Sequence, residues 1–143
     1  MLELIFLLPI LTGLAALFTP PSLGRVMLLI AAFFHLQLTA MAWLDHLPVY
    51  TDGFFSAEPI GLLVLLVTSF VFVCIAVYAI CYVREAEMEN EQVFHGCMLL
   101  FLGTMSMVSL ADHPIVLWIA IEATTLLSAP LIYLHHSREA LEA

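Results

Sequence analysis

The chain has 143 residues, of which 64% are hydrophobic and 10% are charged, and its mean hydropathy is +1.11. Soluble domains are about 45–50% apolar and about 25% charged, so this composition excludes an ordinary soluble domain and predicts a protein that crosses a membrane several times. The net charge of −9, with three arginines and no lysine, argues against a nucleic-acid-binding surface and against a polybasic patch for anionic lipids.

Five apolar runs predict five transmembrane helices, at about 2–19, 26–44, 60–83, 93–110 and 115–134. Runs of this length in lipid are expected to be helical, because a helix satisfies its own backbone hydrogen bonds. The first run is the shortest and stops at the turn-forming sequence TPPS. We therefore expect an all-α bundle that forms a single transmembrane domain over 1–143, with no room for a soluble catalytic domain.

The basic residues predict an orientation in the membrane. Arg25, Arg84 and Arg138 follow the first, third and fifth runs, so a five-span protein places all three on one face. Loops on the cytoplasmic side carry an excess of lysine and arginine. We expect the N-terminus outside and the C-terminus inside, in a multi-pass protein of the cytoplasmic (inner) membrane.

Glu122 is the acidic residue that lies deepest in a predicted span, eight residues after the turn ADHP. Thr125 follows it at i+3, and Ser128 lies close by on the same helix. An acid at this depth is expected to be protonated, hydrogen-bonded to such hydroxyls, or paired with a cation. We therefore expect these residues to belong to a proton-translocation path, and the alternative is a polar contact that holds helices together. The arginines lie near span ends, so a cation for Glu122 must come from another polypeptide.

His35 lies near the middle of the second run and is followed by Gln37 and Thr39. A histidine at this depth can relay protons or bind a metal, or it can be a buried hydrogen-bonding side chain. We include His35 among the candidates for proton translocation. His95, in the fourth run, is expected at a membrane interface.

Two features of the runs bear on helix packing. Pro9 removes the hydrogen bond to the carbonyl of Ile5, and Pro130 has the same effect in the fifth run. Gly96 and Gly103 are seven residues apart in the fourth run, with Ser106 and Ser109 beyond them. This stripe of small residues predicts close contact with another helix.

No pattern for a cofactor or a metal is found. The three cysteines, Cys74, Cys81 and Cys97, form no CxxC pair, and the chain contains no glycine-rich phosphate loop. We expect no bound cofactor, no metal and no redox chemistry carried out by this chain alone.

The segment LADHPIVLWIAIEATTLLSAPLI, residues 110–132, resembles the fifth helix of the antiporter-like subunits of respiratory complex I, in which Trp, Glu, Thr and Ser occur at this spacing. The stretch FSAEPIGLL, residues 55–63, is similar to the third helix of those subunits. The ending REALEA is similar to the stretch that follows helix five in component F of hydrogenase-4. The resemblance runs through the chain in span order.

The resemblance implies that Glu122 is the acid of an ion-pair element that controls proton transfer. It also implies a membrane subunit of a proton-translocating oxidoreductase complex, of the hydrogenase-4 or NADH-quinone oxidoreductase type. Those subunits continue far beyond helix five, so the chain resembles their N-terminal part, as a fragment or a split form. The expected partners are other membrane subunits of such an assembly, including one that supplies the downstream helices and a buried lysine. The alternative function is a structural or assembly scaffold without conduction of its own.

Overall fold

The computed structural model describes residues 2–44, 53–86 and 90–133. Within these ranges the chain forms five α-helices: α1 (Leu2–Ala16), α2 (Pro21–Leu44), α3 (Pro59–Ala86), α4 (Glu91–Leu110) and α5 (Pro114–Tyr133). The predicted all-α architecture is confirmed, and four of these helices, α2 to α5, are long and apolar enough to cross a membrane. The chain therefore has the character of a multi-pass membrane protein. The predictions for Arg138 and for the ending REALEA lie outside the described residues.

The first helix is shorter than the predicted span 2–19. It ends at Ala16, where the amide of Phe18 turns back to the carbonyl of Ala15 at 3.1 Å. The helix cannot continue through the following Thr19-Pro20 step, because a proline disfavours helical geometry in the residue before it. Its 15 residues reach about 22 Å at about 1.5 Å per residue, less than a hydrocarbon core of about 30 Å.

α4 is the central helix of the bundle, since α1, α2, α3 and α5 all pack against it. α2 also packs against α1 and α3, whereas α5 packs against α4 alone among the described helices. The core consists of two apolar clusters. The Arg25-end cluster contains Ala16, Leu28, Ala31, Ala32, Phe72, Ala76, Ala79, Met98, Leu99 and Leu102. The Asp112-end cluster contains Ile5, Phe6, Ala42, Ala57, Leu62, Leu65 and Leu110.

Glycines bring α1 and α4 into close contact. A Cβ atom added at Gly103 would lie 2.5 Å from Ile10 Cγ1, and one added at Gly96 would lie 3.1 Å from the carbonyl oxygen of Gly13. Backbone atoms of α1 lie 3.1–3.3 Å from these two added Cβ atoms, closer than an ordinary van der Waals contact, so an added methyl group would be tight at both positions. The predicted packing role of the small residues in the fourth run is confirmed, and the partner is α1.

The loops at one end of the bundle are joined by a short backbone ladder. Phe55 and Ala111 form an antiparallel bridge, with the amide of Ser56 donating to the carbonyl of Leu110 at 2.9 Å. The ring of Phe6 stacks on Phe55 with centroids 4.8 Å apart. These contacts fix the start of α3 against the turn between α4 and α5.

Candidate functional site

The polar centre of the bundle is built around His35, which is fully buried. Its Nδ1 lies 2.9 Å from Ser69 Oγ on α3, and its Nε2 lies 2.9 Å from Ser106 Oγ on α4. Thr39, one turn further along α2, places its hydroxyl 3.4 Å from Ser69 Oγ. We call these four residues the His35 layer. Each is no more than 1% exposed, so the layer joins α2, α3 and α4 inside the core.

Backbone carbonyls complete the surroundings of the His35 layer. Ser69 Oγ lies 2.7 Å from the carbonyl of Leu65, and Ser106 Oγ lies 2.8 Å from that of Leu102, each one turn earlier in its own helix. Pro9, four residues after Ile5 on α1, has no N–H, so the carbonyl of Ile5 lacks its helical partner.

Apolar side chains enclose the His35 layer on both sides along the bundle axis. Phe72 and Leu102 belong to the Arg25-end cluster, while Ile5 and Leu65 belong to the Asp112-end cluster. The hydrogen-bond partners of the ring are two serine hydroxyls, which are uncharged. The interpretation of His35 as a buried hydrogen-bonding residue is confirmed, and its role in proton translocation stays a prediction.

Metal binding finds no support at His35. Both ring nitrogens already face hydroxyls, which are poor metal ligands beside carboxylates, thiolates and imidazoles. Nowhere in the described ranges do three His, Cys, Asp or Glu residues come together. Gln37 is exposed on the outer side of α2 and takes no part in the layer.

Glu122, unlike the buried His35, is exposed, and it lies near the middle of α5. The only residue of α5 that the bundle buries, within the described range of that helix, is Ala120. Trp118 is 64% exposed and Leu126 is 72% exposed, so none of the described helices covers this side of α5. We call the exposed side of α5 around Glu122 the outer face of α5.

The hydroxyls near Glu122 bond to the helix backbone. Thr125 Oγ1 donates to the carbonyl of Glu122 at 2.8 Å, and Ser128 Oγ donates to the carbonyl of Thr125 at 2.7 Å. The ion pair that the described residues form is between Arg25 and Glu91, at the end of the bundle. No described cation is paired with Glu122.

The predicted translocation residues fall into two separate groups. Glu122, Thr125 and Ser128 lie on α5, and His35 lies in the core formed by α1 to α4. Since α5 makes no packing contact with α2 in the described part of the chain, the structure does not bring His35 and Glu122 together.

A third polar group lies where α2 and α4 begin. Arg25 binds Glu91 through Nε and Nη2, with oxygen distances from 2.7 to 3.1 Å. His95, one turn after Glu91, is fully buried, and neither of its ring nitrogens has a hydrogen-bond partner among the described residues. The sequence placed His95 at an interface and gave no sign that its ring is enclosed.

Replacing Gly24 with serine is expected to stabilise the protein by giving His95 a partner. A Cβ at Gly24 would lie 3.5 Å from His95 Nδ1, an ordinary contact, and a hydroxyl on that carbon comes within hydrogen-bond range. One new hydrogen bond to a buried group contributes about 1 kcal/mol. Denaturant unfolding in micelles measures the free energy, with Gly24→Ala as the matched control. Equal stability of the Ser and Ala variants would contradict the expectation.

Sequence reasoning missed two members of the His35 layer. Ser69 stands beside Thr68 in the most apolar of the runs, and nothing in its local sequence tells it from an isolated hydroxyl. Ser106 was assigned to a packing stripe, although its hydroxyl reaches the imidazole. The pairing depends on the register of three helices, and a single sequence does not contain that register.

Comparison with known protein families, with curated proteins and with solved structures found no match. A function for this chain is therefore argued from its own residues and their geometry.

Proposed function

We propose that the chain is a membrane subunit of a proton-translocating oxidoreductase complex, of the hydrogenase-4 or NADH-quinone oxidoreductase type. The proposal rests on the position of Glu122. Its side chain is exposed at the middle of α5, in which Ala120 is the only buried residue of the described range. A charged side chain at the centre of a lipid-facing helix costs about 2.5–3.5 kcal/mol on insertion scales. This cost is avoided when another polypeptide covers the side chain and shields it from lipid.

The partner in this proposal supplies a basic side chain to the outer face of α5. An ammonium or guanidinium group beside Glu122 stabilises the carboxylate, and its withdrawal favours the protonated acid. Glu122 then takes up or releases a proton according to the position of a charge on another chain. Thr125 and Ser128 shape the helix beside it, because their hydroxyls bond its carbonyls. The chain carries no redox chemistry in this proposal.

The proposed orientation places the Arg25–Glu91 pair on the cytoplasmic side, with the N-terminus outside and the C-terminus inside. The start of α2 and the start of α4 share one end of the bundle, since Arg25 and Glu91 are in contact. The proposal rests on the arginine count and on the resemblance to antiporter-like subunits, and it assigns the chain to the cytoplasmic membrane.

The test is Glu122→Gln in the assembled complex, with proton pumping and cofactor reduction measured separately. The substitution keeps the size of the side chain and removes its ionisation. We expect pumping to fall while reduction in the hydrophilic subunits continues. Glu58→Gln, at an exposed acid just before α3, is the matched control and should leave both rates unchanged. Unchanged pumping in Glu122→Gln would reject the role of Glu122.

A second function, a scaffold that holds other subunits together without conduction, is favoured by the close packing of α1 on α4. Gly13, Gly96 and Gly103 allow backbone contact between these two helices, which makes a rigid unit. Purification with intact partners distinguishes the two functions. A complex that assembles with Glu122→Gln and pumps normally, but fails to assemble without this chain, supports the scaffold.

A further inference from the structure

The His35 layer has more hydrogen-bond contacts than it has hydrogens to fill them when the imidazole is neutral. Among Ser69, His35 and Ser106, four contacts require a hydrogen: the ring to each serine, and each serine to a carbonyl, of Leu65 or Leu102. Thr39 uses its own hydroxyl hydrogen on the carbonyl of Leu36 or on Ser69 Oγ and fills none of these four. Two hydroxyls and one ring N–H supply three hydrogens. One serine–carbonyl contact is therefore empty at any time, and the serine that lacks it donates to the ring instead.

This shortage leaves two arrangements with the same number of hydrogen bonds between the ring, the two serines and the two carbonyls. In the first, Nδ1–H donates to Ser69 and Ser106 donates to Nε2. In the second, Ser69 donates to Nδ1 and Nε2–H donates to Ser106. Breaking the hydrogen bond between a serine and its carbonyl costs little free energy. The carbonyls of Leu65 and Leu102 lie within helices and keep the hydrogen bonds from their i+4 amides.

We propose that Ser69, His35 and Ser106 form a buried proton-exchange site, a hydrogen-bonded chain whose direction reverses when one proton passes through it. The site links α3 to α4 across α2. It does not depend on Glu122 or on the identity of the complex, so it goes beyond the proposed function.

The reversal conserves atoms and charge when water supplies and accepts the proton. Starting from the first arrangement, a hydronium ion protonates Ser106 Oγ while Ser106 gives its own hydroxyl proton to Nε2. Nδ1 gives its proton to Ser69 Oγ, and Ser69 releases its former hydroxyl proton to a water molecule. No electron moves, and the reverse passage restores the first arrangement.

A groove lies beside the site, although Ser69, His35 and Ser106 do not line it, and water must pass its apolar side chains to reach them. A groove of about 280 Å³ between α3 and α4 is lined by Thr68 and Phe72 on one side and by Leu102 and Met105 on the other. Thr68 precedes Ser69 in the chain, and Met105 precedes Ser106, so the groove lies at the level of the His35 layer. Its nearly apolar lining keeps exchange slow, because water enters such a space rarely.

The experiment measures the tautomer of His35 by nitrogen NMR, with the chain labelled with ¹⁵N-histidine and reconstituted in lipid bilayers at neutral pH. The His35 signals are assigned by their loss in His35→Gln. Ser69→Ala should lower the ratio of Nδ1–H to Nε2–H by about fivefold, because Nδ1 loses its serine partner. Ser106→Ala should raise the same ratio by about fivefold. Opposite shifts are the result that the proposal requires.

Two matched controls remove a hydroxyl from the same helices without touching the ring. Thr68 bonds the carbonyl of Val64 at 2.8 Å on α3, and Ser109 bonds that of Met105 at 3.1 Å on α4. Thr68→Ala and Ser109→Ala should keep the wild-type ratio. Shifts in one direction, no shift, equal shifts in the controls, or a doubly protonated wild-type ring would each overturn the proposal. If a serine variant does not fold, the frozen wild-type protein decides, because both tautomers should then give separate signals and a single tautomer overturns the site.

Discussion

Replacing Glu122 with leucine is expected to make insertion of α5 into a bilayer more favourable by about 3 kcal/mol in the isolated chain. Glu122 is the ninth of 20 residues of α5, and its side chain is exposed on the outer face of that helix. An acid at this depth opposes insertion, whereas leucine promotes it. The fraction of chains in which α5 spans the membrane, scored with glycosylation sites on both sides of the helix, measures the change.

Asp112→Leu is the matched control for this experiment. Asp112 is also an exposed acid replaced by leucine, but it lies in the turn before α5, where the carboxylate stays in contact with water. We expect a much smaller effect there, because the penalty for a charge falls steeply toward the membrane surface. Equal effects at the two positions would show that Glu122 does not lie at membrane depth. The proposed function would then lose the observation on which it rests, an exposed acid in the middle of a transmembrane helix.

The positions of the helices could be predicted from the sequence, because apolar runs must pair their own backbone groups in lipid. α2 and α4 begin within five residues of their predicted starts, and both end at their predicted last residues, Leu44 and Leu110. The predicted first span was too long, since apolarity extends to Phe18 but the helix stops at Ala16, whereas α2 begins five residues and α3 ends three residues outside their predicted bounds. The apolar composition of a segment indicates its affinity for lipid, but it does not show where a helix ends. The end of α1 is set by backbone geometry, because Pro20 disfavours helical geometry in the residue before it.

The candidate sites were predicted less completely, for a physical reason. Glu122 and His35 can each be recognised from the sequence without knowledge of their neighbours, because an ionisable group in an apolar run is costly wherever it points. Their surroundings depend on how the helices rotate about their axes. That rotation buries His35 against Ser69 and Ser106 and turns Glu122 away from the bundle. The sequence treated both as members of one path, and the structure separates them.

The close contact between α3 and α4 explains why a small substitution should have a large effect. Gly61 lies in the first turn of α3, where a Cβ atom would lie 2.5 Å from the backbone oxygen of Ser109. The obstacle is a backbone carbonyl in the last turn of α4, which is less free to move than the end of a flexible side chain. Accommodating one methyl group therefore requires a shift of a whole helix end, which is also tied to the ladder between Phe55 and Ala111.

Gly61→Ala is accordingly expected to lower the free energy of unfolding by about 1–3 kcal/mol, the usual cost of overpacking a tight contact. Denaturant titration in micelles, followed by helical circular dichroism, measures the loss. Gly24→Ala is the matched control, because its Cβ meets nothing closer than His95 Nδ1 at 3.5 Å. Alanine favours the helix over glycine by up to about 1 kcal/mol, so the control should be neutral or stabilising. Gly61→Ala should thus be less stable than Gly24→Ala, and a stabilised Gly61→Ala would mean that α3 and α4 do not approach each other this closely in the membrane.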